Sequence, residues 1–149
     1  MKTQNLNIHI VEDDLFYAEI IKEKINSIES VESRIFNTGK EFLDQLHTNP
    51  DIVILDHYLE DYNGLDILRE IKGINPNIQV IFLSGQNDMT TAVNTLKYGA
   101  FDYLVKNEKE LSRLPLVISK IISLNHLSKN NRSIHKIKQW ISTTKLFNL

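Results

Sequence analysis

Four aliphatic residues in succession, Ile52-Val53-Ile54-Leu55, run without a polar interruption into Asp56. A strand with one solvated face alternates apolar and polar side chains, whereas an unbroken run suits a strand buried on both faces of a parallel sheet. Such a strand needs helices above and below it. The flanking sequence supplies them, because short apolar runs alternate with segments whose apolar residues recur every three or four positions, the order expected of an α/β domain.

On that pattern strands are expected over Leu6 to Val11, Val31 to Phe36, Ile52 to Leu55, Ile78 to Leu83 and Phe101 to Val105. Helices are expected over Leu15 to Ile28, with Ala18, Ile21, Ile25 and Ile28 on one face, then Gly39 to His47, Leu65 to Ile74 and Met89 to Tyr98. A last helix begins near Pro115, a residue suited to the first helical position. The polar stretch Ser128-Lys129-Asn130-Asn131 is the expected break. It divides a domain over residues 5–127 from residues 128–149, a basic helical tail or the start of a linker to a further domain.

The formal net charge of -2 conceals a division. Residues 1–110 hold 19 acidic and 10 basic side chains, and residues 111–149 hold 7 basic and no acidic ones. The basic stretch reads as a solvated face, or as a docking helix with Ile134, Ile137, Trp140 and Ile141 packing on the domain or on a partner. Nucleic-acid binding ranks last, because the segment is too short for a helix-turn-helix domain with its own core. No signal-like start, no apolar run of about 18 residues and no Cys are present. A cytoplasmic chain without a membrane partner is therefore expected.

In an open parallel sheet the ligand site lies beyond the carboxyl ends of the strands. The residues there are Glu12, Asp13 and Asp14 after the first strand, Asp56 after the third, Ser84 after the fourth and Lys106 after the fifth. Carboxylates gathered on one rim repel, and either rise in pKa or recruit a cation. Mg2+ suits such a set, since it takes oxygen ligands and uses only one or two carboxylates besides water and phosphate. Asp56 can then attack phosphorus, with Lys106 neutralising charge on the equatorial oxygens and Ser84 donating to one of them. Alone, each residue has an ordinary role: Asp56 as a turn or cap, Ser84 as a loop hydroxyl, Lys106 as a solvated charge, and His57 as a surface loop histidine. The weight lies in their convergence.

The segments Ile8-His9-Ile10-Val11-Glu12-Asp13-Asp14, Asp51 to Asp56, Val80-Ile81-Phe82-Leu83-Ser84-Gly85 and Gly99 to Lys106 resemble the receiver domain of bacterial two-component response regulators, over roughly residues 5–127. The resemblance implies a flavodoxin-like, doubly wound five-stranded parallel sheet in order 2-1-3-4-5, followed by a C-terminal helical extension. It implies that Asp56 is the phospho-acceptor, Ser84 the switch hydroxyl, Tyr103 the switch aromatic and Lys106 the family's lysine. Mg2+ would be held by Glu12, Asp13, Asp56 and the backbone carbonyl of Tyr58. Implied partners are a histidine kinase or phosphotransfer protein and a downstream protein, with a homodimer through the last helices as an option. Such a chain is a phospho-acceptor rather than an enzyme, with at most slow Mg2+-dependent self-phosphorylation and dephosphorylation.

The sequence departs from the family pattern at Glu60, where Pro is common, and at Asn107, where Pro usually follows the lysine. Tyr58 and Gln86 occupy positions that tune hydrolysis of the acyl phosphate in that family. A haloacid-dehalogenase-type phosphohydrolase would need a second Asp two residues after the nucleophile, where this chain has Tyr58. A receiver serving only as a dimerisation or docking module is the other alternative.

Overall fold

The computed structural model describes residues 5–85 and 88–147, together with the side chains of most of them. Five parallel strands, β1 (Leu6–Val11), β2 (Val31–Phe36), β3 (Ile52–Asp56), β4 (Gln79–Ser84) and β5 (Asp102–Val105), form one sheet in the order β2-β1-β3-β4-β5. This is the expected doubly wound order. The register aligns Val11 with Leu55, Asp56 with Leu83, and Ser84 with Val105, so the strands end on a common rim. Every residue of β3 is buried, as its aliphatic run requires.

The helices are α1 (Leu15–Ile25), α2 (Gly39–Asp44), α3 (Gly64–Ile74), α4 (Met89–Lys97), α5 (Glu108–Leu111) and α6 (Leu114–Phe147). Each of the first five starts on a side-chain cap: Asp14, Thr38, Asn63, Asp88 and Asn107 accept hydrogen bonds from backbone N–H groups of the first turn. Below the rim, Phe36, Phe42, Leu55, Ile67, Leu68, Ile71 and Phe82 belong to one apolar core. It fixes β1, β3 and β4 from below, and the strand ends inherit that rigidity.

Several expected boundaries move. The first helix stops at Ile25 with Asn26 as its C-cap, three residues short of the expected end. The second breaks into α2 and a 3-10 turn over Leu46–Thr48, after which Asn49 takes φ 57°, a left-handed conformation that Asn tolerates. Between β5 and the long helix lies α5, absent from the sequence reading. The helix itself is not interrupted at the expected break: α6 runs through Ser128-Asn131. Ser and Asn cost a helix only a few tenths of a kcal/mol relative to average residues, far less than Gly or Pro, so a polar run does not by itself end one. The side chains of Ile134, Ile137, Trp140 and Ile141, and the whole of Gln86, lie outside the described residues.

Two compact units are distinguished, one ending at Pro115 and the other beginning at Leu116. Among the described residues no helix is long and apolar enough to cross a membrane.

Candidate functional site

The rim residues meet around one ammonium group. Lys106 Nζ lies 2.6 Å from Glu12 Oε2 and 3.2 Å from Asp56 Oδ2, joining the ends of β1, β3 and β5. The Glu12 contact is an ion pair without the alignment of a hydrogen bond. Glu12 is 1% exposed and Asp56 4% exposed, so both carboxylates are largely stripped of water. Burial pushes the Glu12 carboxyl up to about 7 against the pull of Lys106. It also raises Asp56, again with Lys106 opposing. Burial alone would lower Lys106, but its two carboxylate partners hold it above the ordinary lysine value.

Asp13 completes the acidic group from the half-buried side. Its Oδ2 accepts a hydrogen bond from the Glu60 N–H at 3.1 Å, which ties the loop after β3 to the end of β1. Glu12, Asp13 and Asp56 each offer a carboxylate oxygen, and these atoms lie within 4.8 Å of one another. The donor set is oxygen only, and the group gathers more acid than Lys106 alone neutralises. Both features fit a hard divalent cation such as Mg2+.

Asp14 stands apart from this group and caps α1, its Oδ1 accepting from Phe16 N–H and Tyr17 N–H. Ser84 is buried at the end of β4, where its carbonyl accepts from the Lys106 N–H at 2.7 Å. The fourth and fifth strand ends are thereby coupled through the residue that carries the ammonium. Tyr103 lies lower on β5, half-buried, its ring stacked on Phe82 at 6.3 Å. Asn107 follows Lys106 through a trans peptide and caps α5, with Oδ1 accepting from Glu110 N–H.

The loop from His57 to Asn63 is held at several points. Asp61 accepts from the N–H groups of Gly39 and Lys40 at 2.9 Å each, and Leu59 N–H donates to the Tyr62 carbonyl. Tyr58 is 57% exposed, with its ring edge-on to His57 at 4.2 Å. His57 is not the surface histidine expected from its loop position: it is 7% exposed and packs against Phe82, because its backbone continues the β3 ladder by donating to the Leu83 carbonyl. At Gly64 the chain passes so close to β3 that a Cβ would press into the Asp56 carbonyl oxygen and lie 2.9 Å from His57 Cα. Gly64→Ala is therefore expected to destabilise the fold by about 1–3 kcal/mol. A urea midpoint equal to that of the wild type would show that the loop yields instead.

Sequence reasoning passed over Tyr17 and Asp61. Tyr17 lies four residues before Ile21, on the flank of the face that sequence reasoning assigned to packing, so periodicity marks it as packing. Asp61 lies in a loop, where a carboxylate reads as solvated charge.

The family model for the response regulator receiver domain matches residues 8–117. Among curated relatives, regulatory protein LuxO of Vibrio vulnificus is 29% identical over 123 residues, a match covering 82% of this chain and 27% of that protein. The chain thus spans about a quarter of that relative's length. The BeF3-activated receiver domain of DrrB, from Thermotoga maritima, superposes with a TM-score of 0.74 at 28% identity, covering 80% of this chain and 99% of that one. The signal receiver domain of a LuxO repressor protein from Vibrio parahaemolyticus gives 0.77 at 25% identity, covering 84% and 95%.

Proposed function

This chain belongs to the response regulator receiver domain family of two-component signalling, and on that premise we infer that it takes a phosphoryl group onto Asp56 and changes conformation in response. The observation that carries the reading is the single ammonium of Lys106 bridging the buried Glu12 and Asp56 carboxylates, with Asp13 beside them. A surface cluster of acids would have no reason to be buried around one lysine.

The donor would be a phosphohistidine on a histidine kinase or phosphotransfer protein. Asp56 Oδ attacks phosphorus, the P–N bond breaks, and the electron pair leaves with the imidazole, which is protonated from solvent. Lys106 then meets phosphoryl oxygens in place of the Asp56 carboxylate, and the Ser84 hydroxyl, buried at the end of β4, would donate to another. Asp13, Asp56 and the Tyr58 carbonyl would hold Mg2+, with Glu12 alongside; the bound ion supplies charge neutralisation for the transferring group. Because the Lys106 N–H is bonded to the Ser84 carbonyl, a shift of the ammonium is felt at the ends of both β4 and β5. Tyr103, further down β5, would report that shift to the outer face. Output would pass to a protein partner or an attached domain in the cytoplasm. The exposed Leu116, Leu124 and Leu127 of α6 offer apolar surface for such a partner or for a second copy of the chain.

The test is a titration with acetyl phosphate, with and without Mg2+, followed by amide chemical shifts. A Mg2+-dependent response centred on residues 56, 84 and 106 is expected. No response in the presence of Mg2+ would sink the reading and leave a docking module without phosphorylation.

A further inference from the structure

Tyr17 stands on the first turn of α1, three residues past its Asp14 cap, and the mechanism above makes no use of it. The Lys106 ammonium lies 4.7 Å from the centroid of its ring. This is the same ammonium that bridges Glu12 and Asp56. A cation over a partly buried aromatic face is attracted to it, so the ring restrains where Lys106 can go.

The phenolic oxygen is buried and has no hydrogen-bond partner among the described residues. Leaving a buried hydroxyl unpaired costs free energy, and a chain that only needed a side chain to fill this position could have used Phe or Met. Burial, with the Glu12 and Asp56 charges adding to it, pushes the phenol up to about 12, so it remains a proton donor at neutral pH. The donor lacks an acceptor, and the carboxylate oxygens nearest Lys106 are already engaged by that ammonium. A phosphoryl group on Asp56 would bring three oxygens, all acceptors, to the same ammonium.

We propose that Tyr17 is a further residue of the phosphoryl site, its ring fixing the Lys106 ammonium and its hydroxyl donating a hydrogen bond to an oxygen of the group carried by Asp56. The inference rests on the assignment of Asp56 as the acceptor. It makes the Tyr17 hydroxyl contact one formed only in the phosphorylated state, and so Tyr17 a residue that favours that state over the free one.

The experiment titrates beryllofluoride, which takes the place of a phosphoryl group on a carboxylate, into wild type, Tyr17→Phe and Tyr17→Leu at saturating Mg2+, read by amide shifts. Mg2+ alone is titrated in parallel. Tyr17→Phe keeps the ring and loses the hydroxyl; it is expected to bind beryllofluoride about tenfold more weakly, with unchanged Mg2+ affinity and a thermal midpoint no lower than wild type. Tyr17→Leu also loses the ring contact, and is expected to weaken binding further and slow labelling by acetyl phosphate. Equal beryllofluoride affinity in wild type and Tyr17→Phe overturns the assignment of Tyr17 alone. Failure of the wild type to bind beryllofluoride overturns the acceptor reading, and this inference with it.

Discussion

Asp56→Asn is expected to reduce phosphoryl uptake from acetyl phosphate to background, measured by intact-protein mass spectrometry, while leaving the protein folded. The amide oxygen of Asn has neither the charge nor the nucleophilicity to displace a leaving group from phosphorus. The folded state should tolerate the change because Asp56 is buried and its carboxyl is already raised by desolvation. Exchanging a buried charge for a neutral isostere removes that penalty, and Lys106 keeps Glu12 as a partner at 2.6 Å. The thermal midpoint is therefore expected to hold or rise. Loss of uptake together with a collapsed midpoint would reduce the result to a folding defect. Persistent uptake would place the acceptor on another carboxylate, with Glu12 and Asp13 of the same acidic group the candidates.

The parts of this molecule that were legible beforehand are those written in one dimension. The aliphatic run of β3 states that it is buried on both sides, and the residues that follow each apolar run must stand on the rim once the strands are parallel. That argument brings Glu12, Asp13, Asp56, Ser84 and Lys106 to one edge without any knowledge of contacts. What escaped depends on contacts between distant positions or on elements too short to show a period. The α5 helix has four residues and leaves only its cap as a trace, Asn107 followed three residues later by Glu110. His57 reads as a loop residue, yet the β3 ladder continues through its backbone and draws the ring under Phe82. The Asp13 to Glu60 hydrogen bond spans 47 positions, and no local pattern announces it. Tyr17 combines both difficulties, since helical spacing explains its presence while its contact with Lys106 lies almost the length of the domain away.

In metal-free buffer the stability of the wild type is expected to stay nearly level between pH 4.5 and 6.5, and Glu12→Gln to turn that plateau into a rise on the order of 3 kcal/mol. Two buried groups with opposite signs produce the balance. His9, buried on β1 with Arg34 adding to the effect, titrates at about 4 rather than 6.5. Between those values the unfolded chain binds the extra proton, so stability rises with pH. Glu12, raised by burial, titrates at about 7 rather than 4.5. Between those values the folded chain binds the extra proton, so stability falls with pH. The overlap runs from 4.5 to 6.5, where the two slopes cancel. His57, lowered by burial, and Asp56, raised by it, add one further contribution of each sign. Lys106 is held above its ordinary value and contributes no slope in this window. Removing Glu12 leaves His9 unopposed. His9→Phe should do the reverse, giving a loss of stability between pH 4.5 and 7. Urea unfolding at half-unit steps of pH with a chelator present reads all three proteins; a plateau retained in both variants would show that neither group carries the linkage. Mg2+ adds the last arm. A cation that binds the ionised acidic group competes with its protons, so saturating Mg2+ should stabilise the wild type more at pH 8 than at pH 5, and that difference should shrink in Glu12→Gln.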